Sequence, residues 1–197
     1  MEQIKVLYTA EATATGGRDG HVRSSDGRLE LDLAVPAQLG GSGRAGTNPE
    51  QLFAAGYAAC FQSALYSVAT GRREPKPDLG DAELTARVSI GPTGHGGFGL
   101  AVTLDLSAPR VARGDACALM ARAHQLCPYS NATRGNVEIT LAVDGMPIEV
   151  HSTIWDLSTS MLQTVDDDDR RATQLRAGVE WDSTTRADAG GTRAPLG

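Results

Sequence analysis

The sequence predicts an α+β fold, on three observations. Strand-like alternation of apolar residues appears early, in the middle and late between Ile4 and Val143. One long uncharged stretch, Gln51 to Gly71, separates the first strands from the rest. The order is strands, helix, hairpin, helix, strand, without internal repeat, which is not the βαβ alternation of a doubly wound parallel sheet.

Taken in order, Ile4 to Thr15 mixes β-branched residues with alanine and reads as a strand. Gly16-Gly17-Arg18-Asp19-Gly20 is a turn, and His21-Val22-Arg23 leads into the next strand. Ser25-Asp26-Gly27 marks a second hairpin, after which Leu29, Leu31, Leu33 and Val35 alternate with charged or small residues. Pro36 to Gly46 is a Gly-rich loop. It delivers the chain to a helix start, where Thr47 and Glu50 fit a capping box and Pro49 suits the first turn. The helix from Pro49 to Ala69 is apolar on nearly every face, which places it at the centre of the fold.

Arg72 to Gly80 links to a strand, Leu84 to Ile90. Gly91 to Gly97 returns the chain as Phe98 to Leu106. Asp115 to Leu126 is helical and stops at Cys127-Pro128, because proline cannot continue a helix. Val137 to Val143 closes with strand alternation. Past Gly145 the character changes. Asp166-Asp167-Asp168-Asp169-Arg170-Arg171 is a charge block, and Ser183 to Gly197 is small, polar and Gly-rich. Residues 1–145 are therefore expected to form one domain. Residues 146–197 are expected to be a largely disordered acidic extension, within which Ile154, Leu157, Met161 and Val165 could line a short helix.

Composition narrows the function. A 197-residue chain that is 41% apolar can bury a core. A net charge of −6 with no basic stripe argues against nucleic acid and anionic membrane as partners. The start, Met1-Glu2-Gln3-Ile4-Lys5, lacks the pattern of an export signal, and the Gln51–Gly71 stretch reads as a buried helix rather than a membrane span. Three cysteines do not make a disulfide framework, so a reducing, cytoplasmic setting is expected. No nucleophile elbow, P-loop or dinucleotide fingerprint is present.

The cysteines carry the chemistry. Cys60 lies in an Ala-rich helix, where a cysteine is commonly a small buried hydrophobe. A reactive thiol there needs a nearby cation, because burial raises its pKa. Arg18 is the candidate, and Glu50 could grip its guanidinium at two points and aim it. In a straight helix, however, Glu50 and Cys60 stand roughly 15 Å apart along the axis. Glu50 could lie in a turn that folds back, Gly56 could bend the helix, or Arg18 and Glu50 could come from a second subunit; the last is favoured. Cys127 could attack a sulfenic acid on Cys60. Cys117 reads as core. Zinc held by Cys117, His124, Cys127 and Cys60 fits no usual spacing, so no metal is expected.

Two runs, Thr47-Asn48-Pro49-Glu50-Gln51-Leu52-Phe53-Ala54-Ala55-Gly56-Tyr57-Ala58-Ala59-Cys60-Phe61 and Cys127-Pro128-Tyr129-Ser130-Asn131-Ala132-Thr133-Arg134-Gly135-Asn136, resemble the organic hydroperoxide resistance (Ohr) branch of the OsmC/Ohr family. Gly96-Gly97-Phe98-Gly99-Leu100 is also similar. The resemblance spans about Lys5 to Gly145 and implies antiparallel sheets wrapped around a central apolar helix in an intertwined homodimer. It implies a thiol peroxidase without cofactor that reduces organic hydroperoxides, including fatty-acid ones. Cys60 would be the peroxide-reacting residue, Cys127 the resolving one, Arg18 and Glu50 the active-site ion pair, and Phe98 an apolar substrate wall. The implied reductant is dihydrolipoamide or a lipoylated protein. The segment after Gly145 departs from the family. Two other classes remain open: a redox sensor using the same cysteine pair, and a non-redox binder of apolar ligands.

Overall fold

Three short strands pair antiparallel in the order β1 (Ala12–Thr15), β2 (His21–Ser24) and β3 (Glu30–Asp32), with Thr13 opposite Arg23 and Val22 opposite Leu31. The computed structural model describes residues 4–72 and 75–149. The first strand is shorter than its sequence predicts. Residues 4–10 pair with no strand among the described residues, and Ile4, Val6, Leu7 and Tyr8 stand 66–89% exposed. Alternating composition shows that a segment can be a strand, but only a neighbouring edge can make it one.

Helix α1 (Pro49–Thr70) begins with proline in its first turn, but its cap is Asn48 rather than Thr47. The Gln51 N–H donates to Asn48 Oδ1 at 2.9 Å, and the Thr47 hydroxyl turns to Gln51 Oε1 instead. Glu50 is thereby released from the predicted capping box. Tyr57, Phe61, Ala64, Leu65 and Ala69 form the buried face of α1. Ala55, Ala59, Ser63 and Ser67, spaced one turn apart, form an exposed stripe, so the helix is not enclosed on all sides within one chain.

The second sheet has the order β4 (Glu83–Pro92), β5 (Phe98–Ser107), β6 (Glu138–Val143), β7 (Met146–Pro147). Along β4, less exposed Leu84, Ala86, Val88 and Ile90 alternate with exposed positions, and the strand packs against α1. β4 and β5 form a ten-residue antiparallel ladder with Val88 opposite Val102. The expectation of antiparallel sheets fails at one pair. β5 and β6 run parallel, Leu104 opposite Leu141, because α2 (Arg113–Leu126) and α3 (Pro128–Thr133) carry the chain back to the end where β5 began. Helix α3 was not foreseen. Pro128 stops α2 and starts the next helix, since proline's fixed φ suits a first turn.

Asp144 (φ 50°) and Gly145 (φ 76°) form a two-residue turn of the left-handed kind and bring Met146 back opposite Val143. Pairing thus continues past Gly145, to the bond from the Ile148 N–H to the Leu141 carbonyl. The acidic block at 166–169 and the possible helix over 154–165 lie outside the described residues. The core lies between α1, α2 and the second sheet, with Phe61, Leu65, Leu104, Leu106, Leu119 and Met120 at most 1% exposed.

Candidate active site

Two pairs of side chains organise the site, and both come from segments singled out in the sequence. Cys60, half-buried on α1, lies 3.5 Å from Cys127, which is fully buried where α2 gives way to α3. Cys127 has an extended backbone (φ −64°, ψ 122°), and this bend between two helices turns its sulfur toward α1. Both thiols are free. A covalent S–S bond needs about 2 Å, so a modest approach would join them. Burial pushes the Cys60 thiol above its ordinary pKa; the Tyr129 backbone N–H, hydrogen-bonded to it, pulls it down, and Cys127 raises it again. No cation figures in that balance.

The second pair is ionic. Arg18 Nη1 and Nη2 donate to the two carboxylate oxygens of Glu50 at 2.9 and 2.6 Å, a bidentate fork. The hydrogen bond to Arg18 holds the Glu50 carboxyl below its usual range. Arg18 sits in a tight turn where Gly16 and Gly17 have φ of 73° and 62°. A Cβ on Gly20 would fall 1.7 Å from the Thr15 carbonyl oxygen, so the turn requires glycine there. Its neighbour Asp19 accepts from the Val35 N–H at 3.2 Å, and Arg44 donates to the Asp19 and Leu33 carbonyls, fastening the turn to the following loop.

The two pairs are apart. Glu50 belongs to the first turn of an uninterrupted α1, which removes the turn that folds back; the axial distance to Cys60 is about 15 Å. Phe98 joins neither pair; it begins β5 opposite Pro92 and is 70% exposed. A cavity of about 510 Å³ opens beside Glu50, walled by Pro36, Leu39, Ala54, Val88 and Ile90. Among the described residues, no group of three or more His, Cys, Asp or Glu gathers in a metal-binding cluster.

Sequence reasoning missed the groups around the sulfurs. Tyr57, fully buried one turn before Cys60, places its hydroxyl 2.9 Å from Ser130 Oγ and 3.3 Å from Thr133 Oγ1. Ser130 Oγ also meets His124 Nδ1 at 3.0 Å. Burial, then the charge of Arg134, lowers the His124 pKa and favours the neutral ring. Tyr129 covers α1 with its ring centroid 5.6 Å from that of Tyr57 and 6.2 Å from that of Phe53. Gly56 makes room for it, since a Cβ there would lie 3.1 Å from the Tyr129 hydroxyl. The signal was the spacing: Tyr57 precedes Cys60, and Ser130 follows Cys127, by three residues each.

Comparison with known proteins agrees with this architecture. A family model described as OsmC-like protein matches residues 40–142. An organic hydroperoxide resistance protein of Xanthomonas axonopodis pv. citri is 51% identical over 139 residues, covering 71% of this chain and 96% of that protein. The organic hydroperoxide resistance protein OhrB of Bacillus subtilis is 47% identical over 136 residues, covering 68% of this chain and 96% of that one. Among solved structures, an organic hydroperoxide resistance protein of Legionella pneumophila matches with a TM-score of 0.65 and 51% identity, over 71% of this chain and 98% of that chain. The chain belongs to the OsmC-like family, in its organic hydroperoxide resistance branch.

Proposed function

We propose that this protein is a cysteine-based reductase of organic hydroperoxides, fatty-acid hydroperoxides included. The observation that carries the reading is the 3.5 Å separation of the Cys60 and Cys127 sulfurs, one half-buried and one fully buried. The Cys60 thiolate attacks the distal peroxide oxygen. The O–O bond breaks, the alkoxide leaves and takes a proton as alcohol, and the sulfur, oxidised by two electrons, becomes a sulfenic acid. Cys127 then displaces the hydroxyl, which leaves as water, and a disulfide forms. A dithiol, dihydrolipoamide or a lipoylated protein, takes the oxidising equivalents and restores both thiols. The three free cysteines fit a reducing compartment, the cytoplasm.

The chemistry needs a cation, and among the described residues none contributes to the Cys60 pKa. We assign it to the Arg18–Glu50 pair of a second subunit, so that the site is assembled in a homodimer. Two features support this. The apolar arm Ile4, Val6, Leu7, Tyr8 is exposed and pairs with no strand among the described residues. The exposed stripe of α1 is small, and its Ser63 and Ser67 hydroxyls are turned back onto the Ala59 and Ser63 carbonyls, leaving a smooth surface for a second helix. A guanidinium held by Glu50 would stabilise the thiolate and the charge on the departing oxygen. The cavity beside Glu50 and the exposed ring of Phe98 offer apolar surface for an alkyl chain.

Stopped-flow kinetics with the reduced protein and dihydrolipoamide tests the reading. Cumene hydroperoxide should be consumed far faster than hydrogen peroxide, and Cys60→Ser should abolish turnover. Cys127→Ser should allow one turnover followed by overoxidation. Little consumption of either peroxide, or unimpaired cycling of Cys127→Ser, would remove the peroxidase scheme.

A further inference from the structure

The buried hydroxyl chain beside the two sulfurs has no part in the cycle above, yet it lies one helical turn from both. α1 and α3 are joined at two levels: Cys60 to Cys127, and Tyr57 to Ser130, three residues earlier on one helix and three later on the other side. Tyr57 and Ser130 are both 0% exposed and Thr133 is 8% exposed, so water does not compete for these bonds.

The hydroxyls form one connected chain in which every group has a partner. The Thr133 hydroxyl donates to the Tyr129 carbonyl at 2.8 Å. The Tyr57 hydroxyl is hydrogen-bonded to Ser130 Oγ at 2.9 Å and to Thr133 Oγ1 at 3.3 Å, and Ser130 Oγ to His124 Nδ1 at 3.0 Å, with either member of the Tyr57–Ser130 pair able to donate. Among the described residues no buried side-chain polar atom is left unpartnered. The chain ends on the Tyr129 carbonyl, two residues beyond Cys127. Arg134 anchors the other end, donating to the His124 carbonyl at 2.9 Å. The chain thus spans α1, the end of α2 and α3, the three elements that set where Cys127 stands relative to Cys60.

We propose that Tyr57 and Ser130 are positioning residues for disulfide formation: their hydrogen bond braces α3 on α1 and holds Cys127 Sγ where it can attack the Cys60 sulfenic acid. The proposal rests on the peroxidase reading. In the braced step the Cys127 sulfur bonds to the Cys60 sulfur, and the sulfenic oxygen leaves with the thiol proton as water. The brace acts after the peroxide has reacted. It therefore governs the partition between disulfide and further oxidation to sulfinic acid, and has little hold on the first step. Displacements of even about 1 Å are known to cost rates up to a hundredfold in positioned reactions.

The test is a single-turnover experiment with one equivalent of cumene hydroperoxide, in which peroxide loss is followed by stopped flow and the protein products by intact mass. Tyr57→Phe keeps the ring against Phe53 and Tyr129 and removes only the hydroxyl. It should consume peroxide within about threefold of the wild-type rate, form the Cys60–Cys127 disulfide at least about tenfold more slowly, and accumulate sulfinic acid when peroxide is in excess. Ser130→Ala, a smaller change should the tyrosine variant fold poorly, should do the same, and the double variant should be no slower than either single one. Thr133→Ser keeps the hydroxyl and should keep the partition. A merely structural role would lower the melting temperature and leave the partition unchanged. Disulfide formation within about twofold of wild type in both folded variants would overturn the brace alone. Wild-type protein that forms no Cys60–Cys127 disulfide would instead overturn the thiol reading beneath it, and the brace with it.

Discussion

Cys60 and Glu50 lie on one helix and are shifted in opposite senses for opposite reasons. Burial and a second thiol raise Cys60, whereas a bidentate guanidinium lowers Glu50. The Glu50 shift carries a stability prediction. A carboxyl lowered in the folded state contributes stability that is fully present above its ordinary pKa and lost as pH falls through the lowered value. Glu50→Gln should therefore be less stable than wild type at neutral pH, and the gap should close on acidification below the ordinary carboxylate range. Arg18 is 41% exposed, so solvent and salt screen the pair, and the gap at neutral pH should be about 0.5–1 kcal/mol. Urea unfolding of both proteins from pH 7 to pH 3 checks it; a constant gap would show that the ion pair is not its source.

At the scale of elements, the start of α1 decides how Glu50 is used. Asn48 takes the cap, which leaves the Glu50 carboxylate free for Arg18. Asn48→Ala should cost about 1 kcal/mol and lower the melting temperature by about 2–4 °C. Asn48→Ser should restore most of it, because a serine hydroxyl also accepts from the first-turn N–H groups. Thermal unfolding of the three proteins reads this directly; no loss in the alanine variant would mean that the helix start is held from elsewhere. The α2–α3 junction shows the same economy of local signals. Pro128 both ends one helix and begins another, and the bend buries Cys127 against α1.

At the scale of the whole molecule, Glu50 and Cys60 are about 15 Å apart along α1, and the proposed homodimer would bring the two pairs together by exchange between chains. Complementation distinguishes that arrangement from a site within one chain. Arg18→Ala and Cys60→Ser homodimers should each be inactive. Refolded together at equal amounts, half of the dimers should be mixed, each with one complete site, and activity should return to about a quarter of wild type. No recovery, in a mixture shown by mass to contain mixed dimers, would place Arg18 and Cys60 in the same chain. The paired structure runs to Ile148, so a chain ending at Glu149 should retain peroxidase activity, measured by the same cumene hydroperoxide assay. Loss of activity would give the remaining residues a role.

The sequence by itself determined what is local or chemical in kind: the central helix with its proline start, the long hairpin and the glycine turn bearing Arg18, and it singled out Cys60, Cys127, Arg18 and Glu50 as candidates. These follow from periodicity, from backbone conformations that only glycine or proline tolerates, and from motifs read over a few residues. Tertiary structure decided what depends on separations of many tens of residues. It brought the Cys60 and Cys127 sulfurs to 3.5 Å and joined Tyr57 to Ser130 across 73 positions. It set β6 parallel to β5 and left residues 4–10 without a partner strand among the described residues. Periodicity says which face of an element is apolar. What that face meets is a property of the packed molecule, because burial and hydrogen bonding are satisfied only when the distant partner arrives.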